Sequence, residues 1–506
     1  MSQEPHLPSV TVVLDPLRRN MAASDPELVI PLIIDGEEEN GSGTFDVVSA
    51  TSGKVCWKAA SASSEDAIRA VEVAKKAFPS WSKVKPLVKQ KILFKAADLL
   101  ESRMPEYGNI MQTEMGGAVG PVHDWILPTG VAFLRDIASH IPLVTGSVPT
   151  VAGEGQSAMI WKEPYGVILG IGPFNAPFVL GMRAAATAIA TGNTTVLKGS
   201  ELTPKCYWAL GKVFHDAGLP AGVLNIIYLK PTDGAVVTNA IIRHPAVRKV
   251  NFTGSTEVGS RIARTCGENL KPCLMELGGK NSAIVCADAD LQKAATECII
   301  GGILHSGQIC MSTDRIIIHA DIAERFLEVL KATFLDIASS TPAPPHVVNA
   351  AAKSRLQEVV SDAISEGASS LLGGFEHMQR KETDENSPIT FIPMIIGDVK
   401  EDMPLWRDEN FGPVAAYRIV KSDEEAIAMA NDTEYGLSAA VFTQDLRKGF
   451  AIAKQLESGA VHINSMSVRD EPALPMGGVK KSGWGRFNTV LGMEEFLVAK
   501  SVTWDD

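Results

Sequence analysis

Three observations predict an α/β architecture with two parallel sheets. From Gly166 onward, short apolar runs alternate with helix-periodic segments at the spacing of strand–helix–strand units. A second alternation of the same kind begins near MELGGKNSAIV. The composition, 45% hydrophobic and 21% charged over 506 residues, is that of an ordinary globular chain.

In chain order, the first clear helix runs from Leu87 to Leu100. There Val88, Ile92, Ala96, Leu99 and Leu100 recur at helical spacing and lysines take the other face. The strand GVILGIG follows, then a helix through Met182 to Ile189, the strand TTVLK, a helix near Tyr207 to Asp216, and the strand VLNIIYL. VRKVNF then leads into the helix TEVGSRIARTC, which completes a doubly wound sheet. The second region continues with a helix at Leu291 to Leu304, the strand DRIIIH and a helix from Ile322 to Leu335. The runs TPAPPH and HMQRKETDENSP read as surface connections, and no internal repeat is visible.

Length and charge exclude several classes. At roughly 150 residues per domain, the chain holds about three domain-sized units. The 47 basic and 59 acidic residues leave a net charge of −12, which argues against nucleic acid as a partner. The seven cysteines are scattered, with no C-x-x-C and no paired Cys/His spacing, so neither a disulfide scaffold nor a metal site is expected. The N-terminal stretch carries Glu4 and Asp15 and no basic-then-apolar pattern, so no signal peptide is read there and a reducing, cytoplasmic setting is expected. The apolar run from Val167 to Ala190 is broken by Pro173, Asn175, Pro177 and Arg183, which argues against a membrane span.

Four features carry chemistry. Gly170-Ile171-Gly172 runs into Pro173-Phe174-Asn175 without completing G-x-G-x-x-G, and alone it is a strand-end turn. Phe252-Thr253-Gly254-Ser255 lies between a strand and a helix, where free N–H groups favour a pyrophosphate, although a plain turn would look the same. Lys198 and Glu201 follow a strand at its carboxyl end. A carboxylate there can bind ribose hydroxyls and repel a 2′-phosphate, favouring NAD over NADP, although a solvated Lys/Glu pair has the same pattern. Cys310, in HSGQIC, and Glu276, in MELGGK, are a thiol and a carboxylate on loops, suited to covalent and general base chemistry. In isolation Cys310 also reads as a small buried hydrophobe and His305 as a packing or loop histidine.

GPFNAP, LKGSELTP, FTGSTEVG, MELGGK, SGQIC, DENFGPV and PMGGVKKSGWGR, in this order from Gly172 to Arg486, resemble the aldehyde dehydrogenase superfamily. The resemblance implies a Rossmann-like NAD-binding domain (25–138 and 162–275), a second parallel α/β catalytic domain (276–478) and a small β bridging segment for oligomerisation (139–161 and 485–506). It assigns Cys310 as nucleophile, Asn175 as the oxyanion-binding amide and Glu276 as the base that hydrolyses a thioester. Relatives that pass the acyl group to coenzyme A generally lack this glutamate, so a non-acylating enzyme is implied. Cofactor contacts fall to Lys198, Glu201, Gly254, Ser255, Phe174 and Leu277, with Glu409 and Phe411 at the nicotinamide ribose; NAD is expected, with NADP the alternative.

The sequence departs from the family pattern at three places. Phe174 replaces a common Trp, Phe487 a common Glu, and Ala184 a common Lys; the last two belong to a proton relay, so Glu276 is expected to relay through water or to sit in a drier pocket. The connection from Ile337 to Val348 is shorter than usual and reads as a surface deletion. The resemblance places Ala176, Val179, Leu180, Arg183, Arg469 and Met476 at the substrate tunnel, and NAPFVLGMRAAA with GQICMSTDR resembles the salicylaldehyde, vanillin and benzaldehyde branch. An aromatic aldehyde is therefore expected. The alternatives are a semialdehyde held by Arg183 or Arg469, or an inactive binding protein; a structural carboxylate such as Asp470 would equally occupy either arginine. A homodimer or homotetramer, with no membrane partner, completes the expectation.

Overall fold

Strands Val167–Ile171, Thr194–Lys198 and Leu224–Ile227 are apolar or threonine-rich and buried almost throughout, as parallel strands covered on both faces must be. They belong to an eight-stranded sheet. Its order is Gly483–Trp484, Cys273–Glu276, Val247–Thr253, Val167–Ile171, Thr194–Lys198, Leu224–Ile227, Leu32–Ile34, Glu37–Glu39. The strands from Cys273–Glu276 to Leu224–Ile227 are parallel, and antiparallel pairs close both ends. This computed structural model describes residues 24–116, 120–340, 346–373 and 389–505. The N-terminal stretch, most of TPAPPH and all of HMQRKETDENSP lie outside them, as does the middle of the 337–348 connection.

Chain order reverses at Val167–Ile171. The next two strands add on one side of it, whereas Val247–Thr253 and Cys273–Glu276 add on the other. The carboxyl ends of Val167–Ile171 and Val247–Thr253 thus flank a topological switch point, where open α/β sheets bind ligands.

Only Leu277 to Lys280 separate Cys273–Glu276 from Asn281–Val285, which opens the second sheet. That sheet has seven strands in the order Ser369–Leu372, Met394–Gly397, Val414–Val420, Thr313–His319, Asn281–Val285, Ser438–Phe442, Ala460–Ile463. All pairs in it are parallel except the edge strand Ser369–Leu372.

The apolar run from Val167 to Ala190 is core. It forms a central strand, a π-helical turn Pro177–Gly181 and the helix Met182–Ala190, every residue of which is buried. Among the described residues no helix is long and apolar enough to cross a membrane. The expected helix at Leu87 is Pro86–Ser102.

A small sheet of Val29–Ile30, Val55–Ser61 and Gly43–Val48 and the helix Ser64–Trp81 precede it. The two- to seven-residue strands left little periodic signal to read. The helix, by contrast, starts at a capping box in which the Ser63 hydroxyl and the Asp66 carboxylate each accept the other's backbone N–H.

Gln156–Pro164 pairs antiparallel with Leu497–Asp505 along nine residue pairs, forming a separate two-stranded ribbon. Met159, Trp161, Val498 and Trp504 are exposed on it.

Candidate active site

The loop bearing Cys310 is fixed by its backbone. After the helix Leu291–Ile303, His305, Ser306 and Gly307 are successively left-handed, with φ of 54°, 58° and 66°. Gly307 cannot be replaced without strain, because a Cβ there would lie 2.2 Å from the Gly412 carbonyl oxygen. The Ser312 hydroxyl donates to the Gly307 carbonyl at 3.1 Å and the Ser467 hydroxyl to that of Met311 at 2.7 Å. The Asn281 amide donates to the carbonyls of Cys310 and Ser312, both at 2.9 Å. The thiol therefore occupies one place relative to both sheets.

Asn175 and Glu276 stand at the ends of first-sheet strands and close on that thiol. The buried Asn175 amide donates to the Gln308 carbonyl at 2.9 Å, which ties it to the Cys310 loop. Glu276 is the last residue of its strand and is 1% exposed, and neither carboxylate oxygen is hydrogen-bonded. Burial raises its pKa, opposed first by the charge of Arg183, whose Nη2 lies 3.7 Å from Oε2. Burial, and then the neighbouring Glu276 charge, push the Cys310 thiol well above its ordinary value.

Two cavities meet here. The larger, about 1100 Å³, is lined at the switch point by Phe174, Thr253, Gly254 and Ser255, and from the second sheet by Glu409 and Phe411. The smaller, about 500 Å³, is mostly apolar, with Trp125, Ala176, Val179, Ile309, Met311 and Met476 in its wall. Asn175, Leu180 and Cys310 line both.

The larger cavity suits a dinucleotide. Ser255 caps the helix Thr256–Glu268, accepting from the Val258 N–H at 3.4 Å, so free N–H groups at that helix start face the cavity. Glu409 accepts from the Gly279 N–H at 3.3 Å, and burial raises its pKa to about 8. A Cβ at Gly278 would lie 2.4 Å from Glu409 Oε2, so a larger residue there would have to push the end of that side chain aside. Phe174 and Phe411 meet edge to face at 5.9 Å. Arg355 and Tyr435, which no motif signalled, complete the wall. Lys198, Glu201 and Leu277 are outside the lining. Lys198 and Glu201 pair with each other at 3.3 Å at the end of the adjacent strand, and Leu277 packs under Gly259 of the capped helix.

In the smaller cavity the structure brings together Ala176, Val179, Leu180, Arg183 and Met476 but not Arg469. Arg469 is half exposed and pairs with Glu471 at 2.7 Å, so the expected tunnel contact is not formed. Arg183 is 1% exposed and committed: Nη1 reaches Asp470 at 2.7 Å and Asn488 at 3.4 Å. His305, expected as a packing or loop histidine, is buried in the turn before Cys310, where it also lines this cavity, and burial lowers its pKa to about 4, leaving it neutral. Trp125, Ile126 and Thr129, from Pro121–Ile126 and Leu127–His140, were silent in sequence.

Comparison with known proteins agrees with this geometry. The profile of the aldehyde dehydrogenase family matches residues 37–502. A vanillin dehydrogenase of Pseudomonas sp. strain HR199 is 39% identical over 94% of this chain and 97% of its own. An NAD(+) benzaldehyde dehydrogenase of Pseudomonas putida is 34% identical over 92% and 94%. The crystal structure of a salicylaldehyde dehydrogenase from Pseudomonas putida G7, complexed with salicylaldehyde, superposes with a TM-score of 0.89 at 33% identity, covering 95% of this chain and 99% of that one. With a family match across nearly its whole length, a thiol held where two cavities meet, and the same fold, the chain belongs to the aldehyde dehydrogenase family.

Proposed function

We propose that this enzyme oxidises an aromatic aldehyde to its carboxylic acid with NAD as hydride acceptor, through a thioester on Cys310. The observation that carries this reading is that Cys310 lines both cavities, one shaped for a dinucleotide and one for a small apolar molecule.

The chain's own groups supply each step. The Cys310 thiol loses its proton to water as the sulfur attacks the aldehyde carbon, which leaves Glu276, whose burial makes it a better base than a solvated carboxylate, free for the hydrolysis. The Asn175 amide and the Cys310 N–H steady the developing oxyanion. NAD, when bound, would supply the hydride acceptor for that carbon, and the acyl group left on the Cys310 sulfur is a thioester. Glu276 then takes a proton from water, which attacks the thioester and frees the acid and the thiol. Glu409, Phe411, Phe174, Gly254, Ser255 and Leu277 would hold the cofactor, with Lys198 and Glu201 at its adenosine ribose, where the carboxylate disfavours a 2′-phosphate.

The wall of the smaller cavity favours a ring over a charged chain. Ala176 and Val179 are small, and Trp125, Ile309, Met311 and Met476 offer apolar faces. Its arginine is already paired with Asp470 and lies beside Glu276, so a semialdehyde's remote carboxylate would meet no uncommitted cation among the described lining residues. The named activities of the relatives point the same way. We read the ribbon as the site of a homodimer or homotetramer, because two strands with exposed Trp161 and Trp504 have no core of their own; light scattering checks this, and a monomer at micromolar concentration refutes it.

The test is NADH formation with benzaldehyde, salicylaldehyde, vanillin, hexanal and succinate semialdehyde, with Cys310→Ala alongside. Turnover favouring the aromatic members and abolished in the variant is expected. Preference for the semialdehyde overturns the substrate, and an inert wild type with both NAD and NADP overturns the activity.

A further inference from the structure

The buried charge beside Glu276 has no role in the mechanism above. Arg183 lies in a helix with every residue buried, in a cavity wall dominated by apolar groups, where an unpaired charge is costly. Asp470 and Asn488 hold Nη1, whereas Nε and Nη2 have no hydrogen-bond partner. The guanidinium is fixed between aromatic faces, 4.7 Å from the Phe487 ring centre and 5.7 Å from that of Phe133. Its unpartnered Nη2 is the atom 3.7 Å from Glu276 Oε2. Two of the three family departures sit here: Phe487 replaces a carboxylate and stacks on Arg183, and Ala184, without a charge, adjoins it in the chain.

Resting on the reading of Cys310 and Glu276 given above, we propose that Arg183, held by Asp470 and Phe487, is a positioning residue. It keeps Glu276 ionised and orients it for thioester hydrolysis, supplying from position 183 the charge absent at position 184. A guanidinium stays charged throughout the working pH range, so it cannot itself relay the proton; Glu276 exchanges that proton with water. The groups facing Glu276 are Arg183 from its helix, Asp470 from the loop before Met476, Cys310 from its turn, Thr253 from the neighbouring strand and Glu409 across the larger cavity. Of these, Arg183 is the only cation. Its charge lowers the carboxylate's pKa and that of Asp470 raises it.

Two neighbouring substitutions should therefore act in opposite directions. Arg183→Met removes the cation, so Glu276 stays protonated to higher pH, and the acid limb of deacylation should move up by about one pH unit or more. Asp470→Asn removes a repelling charge and frees the guanidinium, so the limb should move down. Arg183→Lys keeps the charge and should lie near the wild type.

Deacylation can be read without the cofactor. In 4-nitrophenyl benzoate the Cys310 sulfur displaces nitrophenol to give the benzoyl thioester, and water then releases benzoate and the thiol. Decay of the benzoyl-enzyme is followed by mass spectrometry from pH 5 to 9, and the nitrophenol burst reports acylation. The expected result is a benzoyl-enzyme in every variant, with deacylation limbs shifted in opposite directions. Limbs that coincide with the wild type, or that move the same way in both variants, overturn the proposal. Should Arg183→Met not fold, Arg183→Met combined with Asp470→Asn leaves no stranded carboxylate; an upward limb supports the proposal and an unmoved one overturns it. Failure of the general reading looks different, with no benzoyl-enzyme and no NADH in the wild type.

Discussion

The two cavities that meet at Cys310 are built in different ways. The larger is walled mainly by strand ends and the turns after them: residues 173–175 and 253–257, Glu276 with Gly278, and Asp408, Glu409 and Phe411. The smaller is walled mainly by side chains from three helix and turn segments, within 125–129, 175–183 and 305–311, with Asp470 and Met476. The first wall is written in turn motifs that include glycine, whereas the second is written in the identity of the side chains its segments carry. The first wall is suited to a constant ligand and the second to one that differs between relatives.

Substitutions at the partition should damage both sides, and those in either wall only one. Glu276→Gln should give a burst of one NADH per site and then turn over about 10² to 10⁴-fold more slowly, read by stopped-flow absorbance. A normal steady rate would remove the base from this position. Asn175→Ala should cost about 10² to 10³-fold in kcat and, because its side chain lines both cavities, weaken NAD binding as well. An unchanged kcat would remove Asn175 from the oxyanion site.

Val179→Trp fills the smaller cavity and should raise KM for benzaldehyde by about tenfold or more while leaving the NAD KM unchanged, since overpacking is confined to one wall. The smallest effect is expected at Glu409. With burial raising its pKa to about 8, it is mostly protonated at pH 7 and ionised at pH 9. Only the ionised form offers charge-assisted acceptance to ribose hydroxyls, so NAD affinity measured by calorimetry should strengthen about fivefold across that range and be flat in Glu409→Gln. A flat wild-type profile would detach Glu409 from the ribose.

Legibility of the site followed the same division. Cys310, Asn175, Glu276, Ser255, Glu409 and Phe411 were all readable, because each stands in a motif whose spacing is set by one strand end or turn. Arg469 misled because sequence gives only its nearness to Met476; in the fold it turns to its neighbour Glu471 instead. His305 is buried in its turn as a packing or loop histidine; that it also lines the cavity is decided by the left-handed run from 305 to 307.

From residue order alone came the two parallel sheets and the strand ends that line the larger cavity, since apolar periodicity and turn motifs are local properties; the role proposed for Cys310 came from the family resemblance. For Arg183 the residue order left two readings open, a substrate contact or a pair with a carboxylate such as Asp470, and the fold forms the pair. Its reach to Asp470, 287 residues on, and its stacking on Phe487 depend on segments that come together only when both sheets are packed. A side chain's charge partner is a matter of distance in space, and for the buried groups around Glu276 that distance is fixed by packing.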